Sequence, residues 1–200
     1  MRTEVKADRG EVASVGLTST YREDLGRAAV AINADELDVV VNVVTQTLLA
    51  GRGVILAGNG GSATTSQHIA NDWTKATHGG PAAGPVISLA SNVAALTAIA
   101  NDYSFDEVFA RQLPPLAKCT SLFIALSVSG QSPNLICAVR EAKRLGLKTI
   151  ALIGRRGYLA DLADLSIAYG PDYGLTEDLH LSFGHVVVRN LRGGRAHLSA

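Results

Sequence analysis

"GVILAGNGGSATTSQHIANDW", residues 53–73, decides the fold. Gly53–Gly58 is a short, continuous apolar run, the pattern of a strand buried on both faces of a parallel sheet. Gly58, Gly60 and Gly61 then make a glycine-rich turn, and helical spacing follows from about Ala63 to Thr77. A strand, a glycine turn and a helix in that order present backbone amides at a helix N-terminus, at the carboxyl end of a strand. That is where α/β proteins bind anions.

The same alternation continues on both sides of this unit. "PVISLA" (85–90), "SLFIALS" (121–127), "KTIALIG" (148–154) and "LSIAYG" (165–170) read as four further strands. Helical spacing runs through "STYREDLGRAAVAIN" and "DELDVVVNVVTQTLLA", with Asp35 as a candidate cap for the second. "NVAALTAIAND" and "FDEVFARQLPPL" also read as helices. "SPNLICAVREAKRLG" carries clear punctuation, with Ser132 before Pro133 at the start and Gly146 past the end. A last helix is expected from about Thr176 to Leu191. The whole predicts an α/β fold: a three-layer, doubly wound, five-stranded parallel sheet with additional N-terminal and C-terminal packing helices. Residues 1–17 read as an N-terminal arm, 18–192 as one domain and 193–200 as a tail.

Composition narrows the function classes. Two hundred residues suffice for one well-buried domain and are short for two. The formal net charge of +0 gives no reason to expect nucleic acid as a partner. No apolar run reaches the roughly 18 residues of a membrane span, and the N-terminus lacks a signal-peptide core, so a cytoplasmic protein is expected. The 18% charged content is low and suggests that other subunits cover part of the surface. Cys119 and Cys137 form no CxxC spacing and read as two buried free thiols.

Two loops could hold phosphate. Gly58 to Ala63 satisfies G-x-G-x-x-A, the dinucleotide fingerprint. That fingerprint also expects an acidic residue roughly 20 positions on, to hold a ribose. No Asp or Glu occurs from Trp73 to Asn101, so no nucleotide cofactor is expected. The second loop is "LSVSGQSPN" (126–134). Ser127, Ser129 and Ser132 supply hydroxyls, Gly130 allows close approach, and a helix begins at Pro133. A serine-rich turn alone is usually capping; opposite a glycine turn at the ligand-binding edge, it suits one phosphate group.

A second constellation has metal chemistry. His68 and Asp72 are i and i+4, and Glu177, Leu181 and His185 are spaced along one side of the last helix. Any one pair is more simply a surface pair or a cap. Two imidazoles and two carboxylates on two helices make a Zn²⁺ donor set.

"GNGGSA", "LTAIANDYSFDEVFARQL", "ALSVSGQSPN", "EAKRLGLKTIALIG" and "EDLHLSFGH" together resemble the sugar isomerase (SIS) domain family, within it the phosphoheptose isomerases. The similarity runs from about Thr18 to Leu191. It implies the SIS fold, a homotetramer with active sites at subunit contacts, a sugar phosphate held by the serine loop, and zinc, one ion per subunit. The implied reaction is aldose–ketose isomerisation of sedoheptulose 7-phosphate to D-glycero-D-manno-heptose 7-phosphate through an enediol. Asn59, Gly60, Gly61, Ser62, Asn101, Asp102, Ser127, Ser129 and Ser132 would contact the substrate. The family's metal positions carry His, Glu, Gln and His. Here they are His68, Asp72, Glu177 and His185, so a Glu has become Asp and a Gln has become Glu. The catalytic expectation is Asp72 or Glu177 as base and His185 as acid. "DYGLTED" (172–178) departs further, lacking the family's acid followed by Arg-Ile-Gln. Two alternatives stay open: a non-catalytic SIS module that senses sugar phosphates or assists replication initiation, and an isomerase of another phosphosugar in a specialised pathway.

Overall fold

A computed structural model describes residues 17–78, 84–170 and 172–193. The expected arm and tail lie outside these residues, except for Leu17 and Gly193. Helices α1 (Leu17–Ala31) and α2 (Ala34–Leu49) lead into β1 (Gly53–Gly58) and α3 (Gly60–Thr77). Next come β2 (Val86–Ser88), α4 (Val93–Asp102), α5 (Leu113–Leu116), β3 (Thr120–Ser127) and α6 (Pro133–Arg144). The chain ends with β4 (Lys148–Ile153), α7 (Tyr158–Leu162), β5 (Leu165–Ala168) and α8 (Tyr173–Leu191).

All five strands are parallel, in the order β2-β1-β3-β4-β5. The chain leaves β1 toward β2 on one side and returns to β3 on the other. The order therefore reverses between β1 and β3, and a crevice opens beyond their carboxyl ends. Gly58 pairs with Leu126 there, so the glycine turn and the serine loop leave the sheet side by side.

Alternation along the central strands feeds two cores. Val54, Leu56, Ile124, Leu126, Ile150 and Leu152 face α2, α3 and α8 through Val44, Trp73 and Phe183. Ile55, Phe123 and Ile153 face the other way, toward Leu135 and Val139 of α6. On that second face Ala57, Ala125 and Ala151 form a row across three strands. Their small side chains let the covering layer approach closely. Each large aliphatic side chain so buried contributes about 1.5–3 kcal/mol.

Several local expectations change. Helix α3 begins at Gly60 rather than Ala63, so the glycine turn is itself the first helical turn. Helix α8 begins at Tyr173, capped by Asp172, which accepts from the Leu175 amide. Asn33, not Asp35, caps α2, accepting from the amides of Asp35 and Glu36. "FDEVFARQLPPL" forms two 3-10 turns and the four-residue α5, because the paired prolines interrupt the helical bonding. Cys119 is exposed and Cys137 half-buried, so the thiols are free but not buried. No described helix is long and apolar enough to cross a membrane.

Candidate active site

The crevice between β1 and β3 holds a cleft of about 560 Å³, within the range of small-ligand sites. Asn59, Gly60 and Ser62 line one wall, and Ser127, Ser129 and Ser132 line the other. The serine loop is organised by its own hydroxyls. Ser127 Oγ lies 3.2 Å from Ser132 Oγ and 3.5 Å from Ser129 Oγ. The Gly130 amide donates to Ser127 Oγ and the Gln131 amide to Ser129 Oγ. Gly130 adopts φ +66, which a side chain would strain. Ser132 occupies the N-cap position of α6 without bonding the helix amides, so its hydroxyl points to its serine neighbours instead. Pro133 follows it at the first helical position.

A reciprocal amide pair joins the two loops. Asn59 Nδ2 donates to Asn134 Oδ1 at 2.9 Å, and Asn134 Nδ2 donates to Asn59 Oδ1 at 2.8 Å. Asn134 is 1% exposed. Asn59 thus has both a place in the cleft and a structural bond behind it.

Helices α3 and α8 pack along a common seam that carries polar groups at two levels. At the first, the Glu177 carboxylate rests against Gly61, so closely that a Cβ there would collide with both carboxylate oxygens. Glu177 lines the cleft, and its Oε1 is buried without a hydrogen-bond partner among the described residues. Tyr173 stands one turn earlier at the cleft mouth. Hydrogen bonding to the Glu177 carboxylate holds the Tyr173 phenol above its ordinary pKa.

At the second level, His68, Asp72 and His185 converge, each offering a ligand atom within 4.8 Å of the others. Asp72 Oδ2 lies 3.2 Å from His68 Nε2 and 3.6 Å from His185 Nε2. Ligands about 2.0–2.1 Å from a tetrahedral ion stand about 3.3 Å apart, so these three donors fit one zinc and leave a fourth position open. Glu177 does not join them. Among the described residues the converging group is these three, and the Glu177 carboxylate lies against Gly61 instead. The four expected ligands divide in this chain into a cluster of three and one carboxylate in the cleft.

The remaining expected residues scatter. Asn101 and Asp102 end α4, exposed and bonded to each other at 2.9 Å, and do not line the cleft. Trp73 is packing: it is fully buried, and its Nε1 donates to the Gly184 carbonyl. His180, on α8, is buried within the chain, edge-on to Tyr169.

The SIS domain sequence model matches residues 20–154. The phosphoheptose isomerase of Chlorobaculum parvum is 37% identical over 175 residues, covering 84% of this chain and 83% of that one. The enzyme of Akkermansia muciniphila is 35% identical over 172 residues, covering 83% and 91%. The chain belongs to the SIS domain family, in its phosphoheptose isomerase branch. The structure of the phosphoheptose isomerase from Neisseria gonorrhoeae superposes with a TM-score of 0.79 at 28% identity, covering 88% of this chain and 97% of that one.

Sequence reasoning did not single out two residues that line this SIS domain cleft, Tyr173 and Arg155, and one that braces it from behind, Asn134. Asn134 was hidden as an ordinary second residue of a helix. Tyr173 fell outside the expected helix, and an i to i+4 relation to Glu177 was its only signal. Arg155 follows β4, outside both loops whose glycines and serines suggest a phosphate site.

Proposed function

We propose that this chain is an aldose–ketose isomerase of phosphorylated sugars, with sedoheptulose 7-phosphate as substrate and D-glycero-D-manno-heptose 7-phosphate as product. The observation that carries the reading is the two-level seam. A serine-lined phosphate cleft lies at one level, and a carboxylate–imidazole cluster lies about two helical turns along. In a seven-carbon sugar phosphorylated at its last carbon, the reacting carbons are at the opposite end. Five C–C bonds of about 1.5 Å, plus the phosphate ester, separate them from phosphorus. A phosphate on Ser127, Ser129 and Ser132 therefore directs C1 and C2 away from the cleft floor and toward the cluster.

The spacing also divides the catalytic work. A base and an acid acting on neighbouring atoms must themselves be neighbours. Asp72 and His185 satisfy that at 3.6 Å, whereas Glu177 lies about two turns from His185. In this proposal Asp72 removes the C1 proton and His185 protonates the carbonyl oxygen. The enediol collapses when Asp72 returns its proton to C2 and the O1 proton passes back to His185. Glu177, with its unpartnered oxygen, accepts hydrogen bonds from the sugar's middle hydroxyls. Asn59, Gly60, Gly61 and Ser62 complete that wall, and Asn101 and Asp102 would act from a neighbouring subunit of a homotetramer. A zinc ion on His68, Asp72 and His185 would supply a Lewis acid that polarises the substrate oxygens. The cytoplasm is the compartment where such a phosphosugar would be met.

The test is incubation with sedoheptulose 7-phosphate in D₂O, followed by NMR. Deuterium beside the carbonyl together with an aldoheptose phosphate is the expected result. Asp72→Asn should abolish exchange, while Glu177→Gln should retain it with a raised KM. Exchange that survives Asp72→Asn and disappears in Glu177→Gln would reverse the two assignments. Binding without any exchange would refute the isomerase.

A further inference from the structure

The phosphate cleft carries a charge problem that the serine loop does not solve. A sugar phosphate arrives with about two negative charges, and the Glu177 carboxylate already lines the same cleft. The three serines are neutral, and a helix N-terminus offers only about half a positive charge. Among the described lining residues, Arg155 is the single cation.

Its place is fixed by backbone, not by chance exposure. The segment after β4 is bonded onto the serine loop: the Gly154 amide donates to the Ser127 carbonyl and the Arg155 amide to the Val128 carbonyl. The Leu159 amide donates to the Gly130 carbonyl at 3.1 Å. The two segments also approach too closely for side chains. A Cβ on Gly130 would lie 2.6 Å from the Arg155 carbonyl oxygen, and one on Gly157 would lie 2.7 Å from the Gly130 carbonyl oxygen. Residue 155 is thereby held in register with residue 128, at the middle of the serine loop, whatever the rest of the surface does.

We propose that Arg155 is the residue by which this cleft selects phosphorylated over unphosphorylated sugars, its guanidinium pairing with the phosphate that the serine hydroxyls orient. The proposal rests on the phosphosugar reading above. A guanidinium suits the task because its planar fork meets two phosphate oxygens at once, which an ammonium does not. Losing one charge-assisted bond of this kind lowers affinity about 10- to 100-fold.

The test compares wild type, Arg155→Gln and Arg155→Lys, with matching melting temperatures as the control for folding. Steady-state kinetics are measured with sedoheptulose 7-phosphate and with sedoheptulose, and inorganic phosphate binding is followed by ³¹P NMR titration. Arg155→Gln is expected to raise KM for the phosphorylated sugar about 10- to 100-fold and to weaken phosphate binding in proportion. The loss should fall on KM rather than kcat. Its handling of sedoheptulose should match that of wild type, and Arg155→Lys should recover part of the loss. An unchanged KM, or an equal loss on both sugars, overturns the proposal. If wild type binds phosphate but isomerises neither sugar, the isomerase reading fails, and the phosphate titration alone decides Arg155. If wild type binds no phosphate, both fail.

Discussion

Gly61→Ala tests whether Glu177 is held in the cleft by the shape of the glycine turn. Gly61 lies in the first turn of α3 and has no left-handed φ, so its backbone accepts alanine. Replacing glycine by alanine at a compatible position stabilises by about 0.4–1 kcal/mol. The new Cβ, however, falls on both Glu177 carboxylate oxygens. That neighbour is the end of a flexible side chain, and pushing it off its rotamer costs about 0.5–1.5 kcal/mol. The two effects nearly cancel, so the variant should melt within about 1 kcal/mol of wild type. Function should not cancel. In the isomerase reading a displaced carboxylate loses its bonds to the sugar hydroxyls, and one charge-assisted hydrogen bond is worth about 10- to 100-fold in kcat/KM. The decisive assay is a double-mutant cycle with Glu177→Ala, following kcat/KM and urea stability together. With Glu177 truncated, Gly61→Ala should stabilise the protein and cost no further activity. Additive losses in kcat/KM, or wild-type kcat/KM in Gly61→Ala alone, would refute the claim that Gly61 exists here to seat Glu177.

Three further predictions come from other parts of the molecule. Zinc should bind at one equivalent per chain by metal analysis, and His68→Ala and His185→Ala should each abolish it; retention in both would remove the cluster as the site. Asn134→Leu leaves the Asn59 amide unpaired between the two loops and should cost about 1–3 kcal/mol in urea unfolding, with KM rising as the loops separate; an unchanged urea midpoint would refute this role. Burial lowers the His180 pKa to about 3, and neither ring nitrogen has a partner among the described residues. Its unfolded value is about 6.5, so as pH falls below that the unfolded chain binds a proton that the native state refuses. Stability should therefore drop between about pH 6.5 and 3, by about 1.4 kcal/mol per pH unit at the steepest. His180→Leu should flatten that part of the profile in thermal melts, and an identical slope would mean that His180 opens to solvent.

The fold was legible because the central strands carry uninterrupted apolar runs, and such a run has few other places to go in an α/β chain. The serine loop was legible for a related reason: Ser, Gly and Pro each have a local conformational preference that needs no distant partner. Positions defined by contacts across the chain were not. Asn134 looks like any polar residue near a helix start until Asn59, far off in sequence, is seen to return both of its hydrogen bonds. Arg155 gains its place only because two glycines let the segment after β4 lie directly on the serine loop. Nothing in residues 148–157 announces that contact.

The division of the expected zinc set lies in where the Glu177 side chain is seated. Residues at i and i+4 differ by about 40° around a helix axis, close enough to share a ligand, as His68 and Asp72 do. Two such steps, from Glu177 through Leu181 to His185, accumulate about 80° and about 12 Å. Sharing a broad face is then compatible with serving different sites. The Glu177 side chain is also met by a vacancy that only glycine leaves, at Gly61, before it could reach further along the seam. A charged residue at 177 suits a position that bonds sugar hydroxyls and is balanced by a cation elsewhere in the cleft. Added to His68, Asp72 and His185, the same carboxylate would give an ion four protein ligands and fill the tetrahedral position left for substrate oxygens; in this chain it lies against Gly61 instead. Glu177 and Arg155 line the same cleft, and in the isomerase reading Glu177→Gln should weaken the dependence of phosphate binding on Arg155, because the guanidinium no longer has a carboxylate to offset. A cycle between these two variants, read by phosphate titration at low and high salt, should show coupling that shrinks as salt screens it. Strict additivity at low salt would separate the two residues and place them on independent parts of the substrate.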